Sequence, residues 1–292
     1  MTVGEFVKYF ETVLEPLQWY DRREVRSMAS YLLKELADVA SYKIIVEPQM
    51  ELETGVAEKL VFCAERLSEG MPLQYVLGYE YFCGHKFNVA PGVLIPRPET
   101  EEQVNMIIGE FRTVNAGSGL RILDICTGSG CIACSLSAGL PGSCVYGCDI
   151  SDEALSIASS QGVGEVSFFK CDILSADAEG VIGKASDGKF DIIVSNPPYV
   201  CEEERPLMRA NVLDYEPELA LFVPDDNPLL FYRRITELAS HLLADGGSLY
   251  FEVNERFAKE VALLMAEFGF AGCKVTADMS GKERIVSARL SL

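Results

Sequence analysis

Asn196-Pro197-Pro198-Tyr199 follows the run Asp191–Ser195 ("DIIVS") with a side-chain amide, two prolines and an aromatic ring. Proline has no N–H and pushes the residue before it into extended geometry, so Asn196 is held stiffly where a strand ends. The set suits a flat –NH2 group. Asn196 Oδ1 and the Pro197 carbonyl can each accept one of its hydrogens, while Tyr199 packs against its plane. A rigid Asn-Pro turn with no ligand is the plainer alternative, and the strand and glycine loop upstream weigh against it. That loop lies in "RILDICTGSGCIA" (Arg121–Ala133), an apolar strand, a glycine turn and a helix start. Gly128 and Gly130 allow a sharp turn and the close approach of a ligand. The helix that begins near Gly130 offers unpaired N–H groups and a partial positive charge. By itself this loop implies only a nucleotide-like ligand.

The acids near the loop narrow the choice. Gly128-x-Gly130-x-x-Ala133 satisfies a loose dinucleotide fingerprint with Asp149 near the expected distance, so an NAD-dependent dehydrogenase competes. Asp149 in "VYGCDIS" can accept hydrogen bonds from both ribose hydroxyls; it could instead cap the next helix, although Ser151 would serve better there. Asp172 in "FFKCDIL" could receive an adenine amino group or be a solvated loop acid. Asp124 lies inside the strand, where a buried carboxylate needs charged or N–H partners. A cationic sulfonium would supply part of that compensation and a pyrophosphate would not. Cys126, Cys131 and Cys134 have the C-x4-C-x2-C spacing of a plant-type iron–sulfur site. Without a fourth Cys at a suitable distance they read as small buried hydrophobes. No metal is expected, and the ten cysteines read as free thiols of a reducing compartment.

These residues need a scaffold. Strands are expected at 121–126, 144–149, 166–170, 191–195, 248–253, 273–277 and 284–290, with helices near 130–138, 152–160, 228–243 and 256–268. Such alternation predicts an α/β, Rossmann-like domain: a seven-stranded, mainly parallel sheet with helices on both faces. Val25, Met28, Ala29, Leu32, Leu33 and Leu36 recur at helical spacing, as do Leu52, Val56, Leu60, Val61, Ala64 and Leu67. Residues 1–78 therefore read as a small helical bundle, either a packing element or a docking module for a macromolecule. "YEYFCGHKFNVAPGVLIP" (79–96) reads as a β-hairpin around a Gly-His turn, linking the two domains through residue 98. A helix is expected to start in "RPETE" (Arg97–Glu101), and the second domain runs over 99–292.

Composition sets limits. Lys plus Arg number 25 against 44 Asp plus Glu, a net charge of −19. That surface repels phosphate backbones and counts against direct nucleic-acid binding. The first residues lack a basic segment followed by an apolar one, and no apolar run approaches the roughly 18 residues of a membrane span. A soluble, cytoplasmic monomer with no membrane contact is expected.

"PLQYVLGYEYF", "PGVLIPRPETE", "LDICTGSGCIA", "DIIVSNPPYV" and "VLDYEPELALF" occur in an order and at spacings that resemble the HemK/PrmC family of peptide chain release factor N5-glutamine methyltransferases. The resemblance spans roughly residues 72–290; the first seventy match only in helical character. It implies S-adenosyl-L-methionine as cofactor, S-adenosyl-L-homocysteine as product, and release factors carrying a Gly-Gly-Gln motif as the protein substrate. Cys126, Thr127, Gly128, Ser129 and Gly130 would form the cofactor loop. Asp149 would hold the ribose, Asp172 or Ile173 would border the adenine, and Asn196 would touch cofactor and substrate. Asn196, Pro197, Pro198 and Tyr199 would bind the glutamine, with Asn196, Pro197 and Tyr199 at the chemistry. Arg97 and Glu99 would border the active site, or else form an interdomain ion-pair knot. Leu213–Leu221 would be a lid or a packed connection. Alternatives are a ribosomal-protein glutamine or adenine-N6 methyltransferase, the dehydrogenase, or a binding module without chemistry. Two positions depart from the family: Cys126 and Asn254 stand where it usually has Gly. Cys126 is expected to be extended, because a positive φ would strain it. His85 and His241, the only histidines, lie away from these motifs, so catalysis by positioning is expected.

Overall fold

The computed structural model describes residues 1–17, 19–112 and 119–291. Five helices come first: α1 (Val3–Leu14), α2 (Arg22–Ala37), α3 (Lys43–Val46), α4 (Thr54–Ser68) and α5 (Leu73–Leu77). The hairpin β1 (Tyr79–Phe82) and β2 (His85–Asn88) precedes α6 (Pro98–Phe111), β3 (Arg121–Ile125), α7 (Cys131–Gly139), β4 (Cys144–Asp149) and α8 (Asp152–Ser159). Then come β5 (Val166–Lys170), α9 (Ala178–Ala185), β6 (Phe190–Ser195), β7 (Val200–Cys201), α10 (Ala210–Tyr215) and β8 (Phe222–Val223). The chain finishes with α11 (Leu230–Leu242), β9 (Leu243–Glu252), α12 (Ala258–Glu267), β10 (Phe270–Ala277) and β11 (Glu283–Leu290). Two units result: Met1–Gly78 with Met208–Tyr215, and Tyr79–Leu207 with Glu216–Leu292.

In the first unit, Phe6 and Phe10 of α1, Leu32 and Leu33 of α2, and Leu60 and Ala64 of α4 share one apolar core. The four-residue spacing of Phe6/Phe10 and Leu60/Ala64, and the three- and four-residue steps among Val25, Met28, Ala29 and Leu32 in α2, give each helix one buried stripe. Thr2 and Glu5 form a capping box on α1, and Asp21 caps α2 by accepting from the N–H groups of Arg23 and Glu24. Arg209 pairs with Glu24 at 2.7 Å, and the Tyr215 hydroxyl donates to the Glu69 carbonyl at 2.9 Å.

The second unit is built on a seven-stranded sheet in the order β10-β11-β9-β6-β3-β4-β5. β3 pairs in parallel with both β4 and β6, β4 with β5, and β6 with β9; β11 is antiparallel to β9 and to β10. Helices cover both faces, so the central strands are near-continuous apolar runs. Alternate residues separate the two faces: Leu123, Ile125, Ile193 and Phe251 join one core, and Ile122, Ile192, Val194 and Tyr250 the other. The chain winds outward from β3 through β4 to β5, then returns to β6 on the other side. The β3/β6 boundary is thus the topological switch point, where open α/β sheets bind ligands.

The hairpin turn is Cys83-Gly84, not Gly-His. Both residues have positive φ, +48° and +76°, as tight hairpins require. The helix in "RPETE" starts at Pro98, whose missing N–H costs nothing at a first helical position. β9 begins five residues before the expected position and passes an irregularity opposite Phe190/Ile192; Gly246 and Gly247 there hid the strand. The short α9, β7 and β8 carried no readable periodicity.

Candidate active site

β3 stops at Ile125, and Cys126 turns out of it with φ +61°. The expectation of an extended Cys126 is therefore wrong: the chain takes the left-handed turn that a glycine usually provides. The turn is fixed by Thr127 N donating to Cys148 O at 3.0 Å and Gly130 N to Thr127 O at 2.8 Å. Gly130 (φ +80°) must be glycine twice over, because a Cβ there would meet Ala158 Cβ and the Phe168 ring at 3.0 Å. Gly128 (φ +52°) has open space where its Cβ would be.

Asp149 ends β4. Its Oδ2 accepts from Gly128 N at 2.9 Å and its Oδ1 from Ser151 N at 3.0 Å, so it orients the loop and keeps lone pairs for further donors. Burial pushes its carboxyl above the ordinary range, against the pull of those N–H groups. Ser151 caps α8. Asp124 is fully buried; the Thr127 hydroxyl donates to its Oδ2 at 2.6 Å, while Oδ1 has no hydrogen-bond partner among the described residues. Burial pushes its carboxyl up to about 7. Asp172, after β5, accepts from Leu174 N at 2.9 Å in a local turn.

β6 delivers Asn196. The Ser195 hydroxyl donates to Ile125 O at 2.6 Å, tying the ends of β6 and β3. Asn196 Nδ2 donates to Thr100 Oγ1 at 3.3 Å, and the Thr100 hydroxyl donates to Glu252 Oε2 at 2.6 Å. Glu252 Oε1 accepts from the Tyr199 hydroxyl at 3.0 Å. Burial raises the Glu252 carboxyl, opposed by the two hydroxyls and by Arg284; burial likewise holds the Tyr199 phenol well above its ordinary range. Asn254 is buried, and its Nδ2 donates to Tyr199 O at 3.3 Å and Glu204 Oε2 at 2.9 Å.

A cavity of about 290 Å³ opens at the switch point. Among the predicted residues, Arg97, Cys126, Thr127, Gly128, Ser129, Asp149, Asp172, Ile173, Asn196 and Pro198 line it; Gly130, Pro197, Tyr199 and Glu99 do not. Its charged lining is Arg97, Asp149, Glu153 and Asp172, three acids against one base. Arg97 is already paired: its Nη2 donates to Glu216 Oε1 at 2.6 Å, and Ile95 N donates to Oε2 at 3.1 Å. Both partners lie in the second unit, so this ion pair is not interdomain. It ties the "IPRPETE" segment to the chain before Pro217, Leu219 and Ala220 on the cavity wall.

Sequence reasoning missed Thr100, Glu252, Glu216 and the apolar wall residues Ile150 and Phe231. Nothing local marks them. Thr100 lies 152 residues from Glu252, and only the sheet brings them together. Ile150 is left 40% exposed beside Asp149 in the fold, which the sequence does not show.

Residues 105–213 match the methyltransferase small domain and residues 17–78 the PrmC N-terminal domain. A Bacteroides thetaiotaomicron protein named release factor glutamine methyltransferase is 44% identical over 92% of this chain and 94% of its own. A Flavobacterium psychrophilum protein of the same name is 39% identical over 91% and 92%. A solved release-factor-specific protein-(glutamine-N5) methyltransferase from Alicyclobacillus acidocaldarius is 28% identical, covering 70% of this chain and all of that one with a TM-score of 0.41. Identity at the level of the first two, across nearly the whole length of each protein, makes this chain a member of the release factor glutamine methyltransferase family.

Proposed function

We propose that this protein transfers a methyl group from S-adenosylmethionine to the side-chain N5 of the glutamine in the Gly-Gly-Gln motif of peptide chain release factors. The observation that carries the reading is the cavity's chemistry: an acid-rich hollow at the switch point with Asn196 and Pro198 in its wall. Three carboxylates with one neutralised arginine favour a cationic guest over a pyrophosphate. The residues present fit such a cofactor. Asp149 keeps lone pairs for ribose hydroxyls, and Gly128 leaves its face open. When bound, the sulfonium supplies an electrophilic methyl group and leaves as a neutral thioether.

The protein's own work is placement. An amide nitrogen is a poor nucleophile because its lone pair is delocalised into the carbonyl, the resonance behind the peptide's rotational barrier of about 18–20 kcal/mol. Asn196 Oδ1 on the cavity wall and the carbonyl of the adjoining Pro197, itself outside that lining, accept from the –NH2 and hold its nitrogen toward the methyl. Both bonds strengthen as positive charge develops on nitrogen, so they favour the transition state over the ground state. Orientation of this kind can supply up to about 7–11 kcal/mol. The amide proton is lost to water. Residues 1–78 dock the release factor, 79–98 link and 99–292 catalyse; Tyr42, Ile45 and Val46 are exposed apolar side chains in the first of these segments. Incubation with methyl-labelled cofactor and a purified release factor, followed by mass spectrometry, should place the label on that glutamine, and Asn196→Ala should abolish it. Label on another residue, or undiminished turnover in the variant, refutes the reading.

A further inference from the structure

Thr100, in the first turn of α6, and Glu252, at the end of β9, are both almost wholly buried. Glu252 uses both oxygens as acceptors, one from the Tyr199 hydroxyl and one from the Thr100 hydroxyl. A hydroxyl has one hydrogen, and Thr100 gives its hydrogen to Glu252 at 2.6 Å. Toward Asn196 the oxygen of Thr100 therefore offers lone pairs alone. Only the NH2 half of the Asn196 carboxamide can meet it, as the 3.3 Å contact shows. The amide is planar, so fixing Nδ2 fixes Oδ1 as the half free to accept.

We propose that Thr100 and Glu252 are positioning residues that set which way the Asn196 carboxamide is turned, keeping Oδ1 as acceptor for the substrate –NH2. The inference rests on the reading of Asn196 as the glutamine clamp. A reversed Asn196 would set lone pairs against lone pairs at Thr100 and a donor against the donor of the substrate. The relay runs through residues 96 and 152 positions apart, and it controls selectivity: a glutamate side chain would want the donor half.

Thr100→Val keeps the shape and removes the hydroxyl; Thr100→Ser restores it. For Thr100→Val, kcat/KM on a release factor should fall about 10- to 100-fold with affinity for S-adenosylhomocysteine and Tm near wild type. The binding preference for a release factor over its Gln→Glu version should shrink at least threefold, and Thr100→Ser should recover both. Glu252→Gln supplies a second arm if Thr100→Val folds poorly. Its new NH2 can donate to Thr100, freeing that hydroxyl to donate to Asn196 and turn the amide, so the preference should shrink again. A loss of packing alone would lower both affinities and leave their ratio intact. Unchanged turnover and ratio in Thr100→Val, or equal loss in Thr100→Ser, overturns the inference while the proposed function stands. A wild-type protein that methylates no release factor overturns the function and the inference with it.

Discussion

Replacing Asp149 separates the loop-orienting role that its geometry shows from its proposed role in holding a ribose. Its oxygens accept from Gly128 N and Ser151 N, and its remaining lone pairs face the hollow where a ribose would lie. A hydrogen bond to an ionised group contributes about 1.5–3 kcal/mol. Two ribose hydroxyls thus give about 3–6 kcal/mol, which is about 10²- to 10⁴-fold in affinity. Asp149→Ala should weaken S-adenosylhomocysteine binding within that range. It also strips two backbone N–H groups of their acceptor, at about 1–3 kcal/mol each where water cannot replace it. Relief of the buried charge offsets part of that loss, because burial already raises this carboxyl. Asp149→Asn keeps the size and one acceptor oxygen, so its loop should survive better and its affinity should fall between the two. Calorimetry with the unreactive product measures binding, and a melting curve reports the fold. An alanine variant that folds normally and binds within threefold of wild type would remove Asp149 from the ribose site.

Two further perturbations test the cavity wall and the buried acid. Arg97→Ala leaves the Glu216 carboxylate, 1% exposed, without its cation; with Arg97 itself one-third exposed the cost is about 3 kcal/mol, the low end for a broken buried pair. Tm should drop about 6–12 °C, and kcat measured well below the new Tm should stay within tenfold; an unchanged Tm would show the pair to be dispensable. Asp124 is raised from an ordinary 3.8 to about 7, so the folded protein holds a proton that the unfolded chain releases. Its stabilising share is complete below about pH 4 and lost as pH rises through about 7. The stability difference between wild type and Asp124→Asn should therefore fall by up to about 1.4 kcal/mol per pH unit, the slope halving as the folded carboxyl reaches its midpoint, about 2 kcal/mol in all from pH 5 to pH 7. Urea melts across that range with parallel curves for the two proteins would exclude the shifted carboxyl.

The strands that hold the site were legible because burial on both faces demands unbroken apolar runs. "RILDI" and "DIIVS" admit few other readings, and the Pro-Pro after the second marks its end. The loop glycines were legible for a related reason, since both take a positive φ and at Gly130 a Cβ would also collide with Ala158 and Phe168. Residues whose roles depend on partners far along the chain were not legible. Glu216 gave only the motif it sits in, and its ion pair with Arg97 spans 119 residues. Thr100 looked like one more polar residue in a helix's first turn. β9 was truncated because Gly246 and Gly247 resemble a turn, although the ladder to β6 begins at Leu243.

The two departures from the family pattern acquire a physical meaning where they sit. Cys126 bears a left-handed backbone that costs a non-glycine residue roughly 1–2 kcal/mol, and its side chain packs against the larger core while lining the cavity. Asn254 does the reverse and adds restraint. Its amide reaches Tyr199 O and Glu204, and its Oδ1 accepts from Arg256 N at 3.0 Å; a glycine could make none of these side-chain bonds. Ser195, just before the proposed clamp, ties it to β3, and Tyr199, the proposed clamp's last residue, is tied beyond the end of β9 through Asn254. Catalysis that relies on placement needs such anchoring, because acceptors free to drift by an ångström would lose the orientation that gives them their effect. Asn254 therefore supports the proposed clamp, and strain at Cys126 is tolerated because the surrounding strand ends are already fixed.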